Sequence, residues 1–298
     1  MATDLSSTLA LHFLEKRPDP SKSSPGLDAQ MQHRLSIVSF WAIPPGSRVL
    51  ELGCGQGDTT VVLAHAVGPS GHIDAVDPGA PDYGTPPLKE AQAHILSSSL
   101  GPRIAFHRAS ATEYAENYKG EKYDFIVLAH SIWYFENPSL FPELITALSP
   151  LLALNSETKF CVAEWSLRSS SLAAVPHVLT AILRSLIEAK RPEPSGANIR
   201  AVLSPAQITS AVTEHSSLKL EKEEVMETNE GMKDAYWEVD YTLRKREKDL
   251  ERFVDGKVPE AERVALEGLY DAVRSTTDQV GGVKEVRCMD FWAAVFGA

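Results

Sequence analysis

The sequence predicts an α/β fold, a mostly parallel sheet with helices on both faces. Three observations carry this. Short runs with strand character alternate with helical segments from residue 28 to residue 166, the pattern of parallel strands joined by helical crossovers. Strand centres such as Phe125-Ile126-Val127-Leu128 are apolar without interruption, as strands covered on both faces are. The first strand runs into a glycine-rich turn, Gly53 to Gly57, and then into a helix.

Residues 1–26 are mixed, and Pro18, Pro20, Pro25 and Gly26 break up their second half. From Asp28 to Trp41, Met31, Leu35 and Val38 recur at helical spacing, with Asp28 as the cap. Pro44-Pro45-Gly46 ends that helix, and Arg48 to Leu52 forms the first strand. After the glycine turn, Asp58 or Thr59 caps a helix carrying Val61, Val62, Leu63 and Ala66, which stops at Gly68-Pro69. His72 to Val76 is the second strand, Pro87 to Ser99 a helix, and Arg103 to His107 the third strand. Tyr123 to Leu128 is the fourth strand, Pro138 to Leu148 a helix, and Lys159 to Glu164 the fifth strand.

The pattern changes after Trp165. Leu172 to Lys190 reads as a long amphipathic helix, 191–196 as a loop, and Ser204 to Glu214 as a helix with Pro205 in its first turn. Leu218 to Met226 alternates like a strand, 231–278 is helical and charge-rich, and Val286 to Phe296 returns as a final strand. The chain thus divides into an arm (1–27), an α/β core (28–166), a segment of lid and remaining core elements (167–285), and a last core strand (286–298).

The chain has 298 residues, 43% hydrophobic and 23% charged, which suffices for a sizeable core. Its net charge of −11 argues against nucleic acid as a partner, because phosphate recognition needs a basic footprint. Arg244-Lys245-Arg246 is the densest basic run and sits among acids, which suits a solvated helix face. Cys54, Cys161 and Cys288 form neither a disulfide framework nor a metal-ligand spacing. The N-terminus lacks a basic stretch followed by a long apolar run, and no uninterrupted apolar run approaches ~18 residues. The expected location is cytoplasmic.

The string Val49-Leu50-Glu51-Leu52-Gly53-Cys54-Gly55-Gln56-Gly57 resembles motif I of the class I S-adenosylmethionine (SAM)-dependent methyltransferases. Glycines let the chain turn sharply and let a ligand lie against backbone. They stand at the carboxyl end of a parallel strand, where open α/β sheets bind ligands. A dinucleotide-binding G-x-G-x-x-G needs a third glycine where this chain has Asp58. An acid there opposes a pyrophosphate at the helix start, whereas SAM carries no phosphate.

The resemblance covers roughly residues 28–166 and the final strand. It implies a Rossmann-like sheet of seven strands, the last antiparallel, with helical lid insertions. It implies SAM as cofactor, S-adenosylhomocysteine (SAH) as product, and a small organic acceptor, as in fungal and bacterial specialised metabolism. Asp77, ending the second strand, matches the acid that binds the ribose hydroxyls, with Pro78 beside it. Glu51, Gly53, Cys54 and Gly55 form the cofactor loop, and Ala129 stands at the end of the fourth strand. The acid that often meets the adenine amine is absent. Ser110 or the backbone of Ala111 takes that place. Arg34 is a candidate for the cofactor carboxylate or, alternatively, a surface arginine.

His130 follows the fourth strand, the strand end that meets the methyl group in this fold. It is the candidate general base, or else a structural histidine bonded to backbone. Trp133 and Tyr134, with Phe135, line a substrate pocket or pack beneath the strand ends. His33 and Trp165 are further pocket candidates, and Glu164 either faces substrate or is a caged structural acid. Oxygen is the preferred acceptor atom. The alternatives are a SAM-fold enzyme running a non-methyl reaction such as cyclisation, and a non-catalytic partner subunit.

Overall fold

A computed structural model describes residues 5–14, 24–152, 158–191, 195–251 and 259–298. The expected breaks at Pro18 and Pro20, the loop centre at 192–194, and part of the expected helical stretch, 252–258, lie outside the described residues.

Ten α-helices and seven strands follow one another among the described residues. They are α1 (Leu5–Ala10), α2 (Pro25–Trp41), β1 (Arg48–Leu52), α3 (Asp58–Val67), β2 (His72–Val76), α4 (Leu88–Leu96), β3 (Ile104–His107), α5 (Ala111–Asn117) and β4 (Phe125–Ala129). Then come α6 (Leu140–Leu152), β5 (Lys159–Trp165), α7 (Val175–Ala189), α8 (Pro205–His215), β6 (Lys219–Met226), α9 (Asp234–Glu251), α10 (Glu260–Gln279) and β7 (Phe291–Gly297).

The strands form one sheet in the order β3-β2-β1-β4-β5-β7-β6. The five strands from β3 to β5 are parallel, and β7 runs antiparallel between β5 and β6. Strand periodicity splits the core in two. Val49, Ile73, Val127, Cys161 and Ala293 point to one face, beneath α2, α3 and the lid helices α7, α9 and α10. Leu50, Val76, Ile126, Phe160 and Trp292 point to the other, beneath α5, α6 and α8. The order reverses between β1 and β4, and a crevice opens at such a switch point beyond the carboxyl ends of the strands.

Several local expectations are corrected. Ser24, not Asp28, caps α2; its hydroxyl accepts the Leu27 N–H at 3.3 Å, and Pro25 opens the helix. Gly57, not Asp58 or Thr59, holds the N-cap position of α3, so Asp58 is already helical. The fourth strand begins at Phe125, because Tyr123 turns inward and donates its hydroxyl to Asp74 at 2.8 Å. Part of the arm is helical: α1 buries Leu9 and Ala10, and such a short helix persists through packing rather than propensity. The helix α5 is a further addition to the expected elements; Ser110 caps it by accepting the Glu113 N–H at 3.1 Å.

One stretch, Leu172–Ala189, is long and apolar enough by composition to cross a membrane, with a mean hydropathy of 1.4. In the fold it packs against α9 and α10. Its Arg184 is buried in an ion pair with Asp249 at 2.6 Å.

Candidate active site

The glycine turn after β1 builds one wall of the crevice. The N–H groups of Gly53 and Cys54 both donate to the Val76 carbonyl, at 2.8 and 3.2 Å, tying the turn to the end of β2. Gly53 adopts φ +79°, and a Cβ there would lie 2.4 Å from Ser131 Cβ. Only a glycine lets the chain after β4 pass so close. Gly55 adopts φ +51°, and a Cβ there would meet nothing within 4 Å. The backbone at Gly55 thus borders open space.

Asp77 spans the two loops. Its carboxylate accepts the Gly55 N–H at 2.9 Å and the Gly79 N–H at 2.8 Å. Each oxygen keeps a lone pair for a further donor. Pro78 beside it is exposed. Ser110 stands exposed after β3 with its hydroxyl engaged as the cap of α5, and Ala111 begins that helix.

The electrostatics of this crevice are unusual. Glu51 is buried, held by the Thr60 hydroxyl at 2.5 Å, and burial with the nearby Asp58 pushes its carboxyl up to about 8. Arg34 from α2 reaches Asp58 at the start of α3, Nε to Oδ2 at 2.7 Å, and Gln30 donates to the same oxygen at 2.9 Å. Burial opposes the Asp58 charge, but Arg34 and these hydrogen bonds hold its carboxyl below the usual range. The Arg34 Nη1 group is buried without a partner. Three carboxyls, Glu51, Asp58 and Asp77, therefore face one cation that still has a free donor. A ligand carrying both an ammonium and a carboxylate would answer both imbalances. Burial, then Glu51, drives the Cys54 thiol up, so it is inert filling in the loop.

Beyond β4 lies a cluster of imidazoles. His130 adopts φ +50°, a left-handed conformation that costs energy in a residue with a side chain. His130 Nδ1 lies 3.3 Å from Glu164 Oε1, and His130 Nε2 lies 2.8 Å from His33 Nε2. Glu164, at the end of β5, accepts backbone N–H groups from Ile132, Trp133 and Trp165. Trp165 contacts the His130 ring at 4.4 Å and stacks on His33 at 5.9 Å, and Phe291 from β7 meets His33 edge-on. So α2, β4, β5 and β7 each contribute one side of the cluster.

The lid closes the far side. Met289 N–H donates to His177 Nδ1, so His177 carries its proton on Nε2 and donates it to Glu238 at 2.7 Å. Glu238 also lines a cavity of about 240 Å³ between α7, α9 and 196–199, together with Trp237, Tyr241 and Thr242. Thr242 is fully buried and its hydroxyl has no partner. Tyr83 of the loop after β2 reaches Asn198 of the same wall at 3.4 Å.

The structure therefore brings His33, His130, Glu164 and Trp165 together and sets Arg34 beside the glycine turn. Trp133 goes elsewhere: it is 2% exposed, and its indole N–H donates to the Leu203 carbonyl at 3.0 Å. It packs beneath the strand ends and braces them. Tyr134 is 43% exposed and is the ring of that run turned outward. Among the described residues no group of three or more His, Cys, Asp or Glu is arranged to hold a metal ion.

Comparison with known proteins meets this geometry at the glycine turn. The sequence model of a family described as a methyltransferase domain matches residues 49–151, from β1 through α6. This stretch is a SAM-dependent methyltransferase domain. Methyltransferase phomM of Diaporthe leptostromiformis is 27% identical, with 89% of this chain and 83% of that protein covered. A cyclopropane-fatty-acyl-phospholipid synthase-like protein from Lactobacillus casei shares the whole architecture. Its TM-score is 0.80 at 26% identity, covering 98% of each chain. Coclaurine N-methyltransferase bound to N-methylheliamine and SAH shares the fold, with a TM-score of 0.50 at 13% identity over 96% of this chain and 76% of that one. SAM is the methyl donor of this family.

In this methyltransferase the sequence hid several groups. Asp58 stood out as a helix cap and as the acid that breaks a dinucleotide motif, neither of which points to Arg34. Its partners Gln30 and Arg34 lie four apart on α2, a spacing that puts them on one face and could have marked that face as functional. Asp234 and Glu238 are likewise spaced on α9. Asp234 is half-buried beside Glu238, and desolvation, then the Glu238 charge, pushes its carboxyl up.

Proposed function

We propose that this methyltransferase transfers the SAM methyl group to a small organic acceptor, with an oxygen nucleophile the first class to test. The observation that carries the reading is the buried histidine pair at the end of β4. A hydroxyl must lose its proton as it is methylated, and two neutral imidazoles at the reacting end can take one. Burial, then neighbouring charge, holds both rings well below their usual range, so they remain bases near neutral pH. His130, the base expected from the sequence, and the His33 ring bonded to it are together the proposed general base.

The residues that would hold the cofactor follow from the crevice. Asp77, with Pro78, would take the ribose, and Gly53, Cys54 and Gly55 would lie against the cofactor along its length. Glu51 suits the ammonium and the free Arg34 Nη1 suits the carboxylate. Ser110 and the Ala111 backbone are proposed to meet the adenine, and Ala129 to border the methyl-transfer point. When bound, SAM supplies a methyl group on a positively charged sulfur, open to in-line displacement. The protein then works mainly by positioning, which can be worth ~7–11 kcal/mol. His33, Tyr134 and Trp165 are proposed to bound the acceptor beside that point. The 240 Å³ cavity under α9 would extend the acceptor's room. Its mixed lining suits an organic molecule with a few polar groups, consistent with a place in specialised metabolism.

Calorimetry of SAH binding to the wild type and to Asp77→Ala tests the cofactor assignment. Micromolar binding that collapses in the variant is expected, followed by transfer of labelled methyl to members of a phenol, carboxylate and amine panel. A well-folded wild type that binds neither SAM nor SAH overturns it.

A further inference from the structure

Glu164, His130 and His33 form a hydrogen-bonded chain whose protons are interlocked. The two Nε2 atoms stand 2.8 Å apart. At that distance they share one proton, because two lone pairs repel and two N–H groups collide. With Glu164 ionised, His130 donates Nδ1–H to the carboxylate. Its Nε2 is then bare and accepts Nε2–H from His33. With Glu164 protonated, the carboxyl donates to His130 Nδ1. His130 then carries its proton on Nε2 and gives it to a bare His33 Nε2. The two arrangements differ by one proton, and both imidazoles are neutral in each.

The surroundings decide where that extra proton rests. Burial first, then repulsion from the partner ring and Arg34, disfavours charge on His33; burial, Arg34 and His177 do the same at His130. Glu164 is pushed up to about 7 by burial, held from going higher by its three backbone N–H donors and by Arg34. The other charged or titratable groups facing the cluster are Asp58 from α3, His177 from α7, and Tyr134 after β4, with Asp234 and Glu238 of α9 behind them. Trp165 and Phe291 close the remaining sides with apolar rings. An imidazolium is therefore the unfavourable place to keep a proton here, and the carboxyl is the favourable one.

We propose that Glu164, His130 and His33 act as one proton-carrying unit that takes the acceptor's proton at His33 Nδ1 and stores it on Glu164. This rests on the methyl-transfer reading only for the source of the proton. As the proton arrives on His33 Nδ1, the proton on His33 Nε2 passes to His130 Nε2. The proton on His130 Nδ1 then passes to Glu164 Oε1. One N–H bond forms and one breaks at each ring, one O–H bond forms at the carboxyl, and the unit's charge rises from −1 to zero. Return to solvent reverses the sequence. Glu164 touches neither acceptor nor cofactor; it acts through the two rings and sets their tautomers.

The test is imidazole nitrogen NMR on the full chain, first without and then with SAH, followed from about pH 5.5 to 8.5, the range in which ordinary histidines titrate. Expected is a joint exchange: both rings stay neutral and swap their protonated nitrogen together, with one midpoint near 7. The Glu164 carboxyl carbon titrates with the same midpoint. In Glu164→Gln, both rings keep one tautomer at every pH. An imidazolium pattern at either ring within the range overturns the proposal. So do tautomers that ignore pH in the wild type, and an exchange that survives in Glu164→Gln. Should that variant not fold, the wild-type carboxyl titration alone decides. SAH calorimetry on the same samples reports separately on the cofactor reading, so the two failures are distinguishable.

Discussion

Binding of SAM should expel a proton from the crevice, and the proton should come from Glu51. The carboxyl is held at about 8 by burial and by Asp58 in the free protein. At about pH 6.5, roughly 30 of every 31 molecules therefore carry that proton. An ammonium brought beside Glu51 favours the ionised form, so binding must displace close to one proton. Displacement costs about 2 kcal/mol at that pH, which is roughly 1.5 pKa units at 1.36 kcal/mol each. Affinity should rise about tenfold per pH unit between about pH 5.5 and 7, where the cofactor's own α-amine stays protonated. The assay is calorimetry in buffers of different ionisation enthalpy. The slope of observed heat against buffer enthalpy gives the protons released, expected to be about one for the wild type and about zero for Glu51→Gln. A flat affinity profile with no proton release from the wild type would refute the reasoning.

The same group acts on stability with a defined sign. Its folded value lies above its ordinary 4.5, so the native state keeps a proton that the unfolded state loses. That contribution is complete below about pH 4.5 and is lost as pH rises to about 8, by at most ~5 kcal/mol. Glu51→Gln should flatten this decline in denaturant titrations across that window. Asp249→Ala takes away the 2.6 Å ion-pair partner of buried Arg184 and leaves Glu188, at 3.7 Å, to balance its charge; it should cost about 3 kcal/mol, read as a lower denaturant midpoint. Gly53→Ala combines a positive φ with a 2.4 Å approach to Ser131 and should lose several kcal/mol in thermal melts. Gly55→Ala meets no protein atom within 4 Å, so it should cost only ~1–2 kcal/mol in folding while SAH affinity falls at least tenfold.

The fold was legible because its signals are local. Each strand of the sheet was readable to within one or two residues at its start, except the last, which begins at Phe291 rather than Val286. Gly53 to Gly57 and Asp77 marked the crevice because backbone chemistry demands those residue types there. The short helices α1 and α5 were illegible for the complementary reason: their stability lies in contacts with distant elements. The pairing of His33 with His130 bridges 97 positions, and no periodicity can announce it. Trp133 and Tyr134 are neighbours in one aromatic run, yet one is buried and the other half exposed. A single turn after β4 decides that difference, and composition does not record it.

That turn also ties the histidine pair to the glycine turn. His33 and Arg34 are consecutive on α2, about 100° apart around the helix. One reaches across to His130, and the other to Asp58 beside the glycine turn. Ser131, next to His130, donates its hydroxyl to the Leu52 carbonyl at 3.0 Å and packs where a side chain on Gly53 would be. The histidine pair and the glycine turn thus share two connections, one through α2 and one through Ser131. A ligand that draws Arg34 toward the crevice must move His33 with it. The His33–His130 distance is then the natural place for cofactor binding to be felt at the acceptor, and a change in the two rings' nitrogen shifts on adding SAH at fixed pH would report that coupling directly.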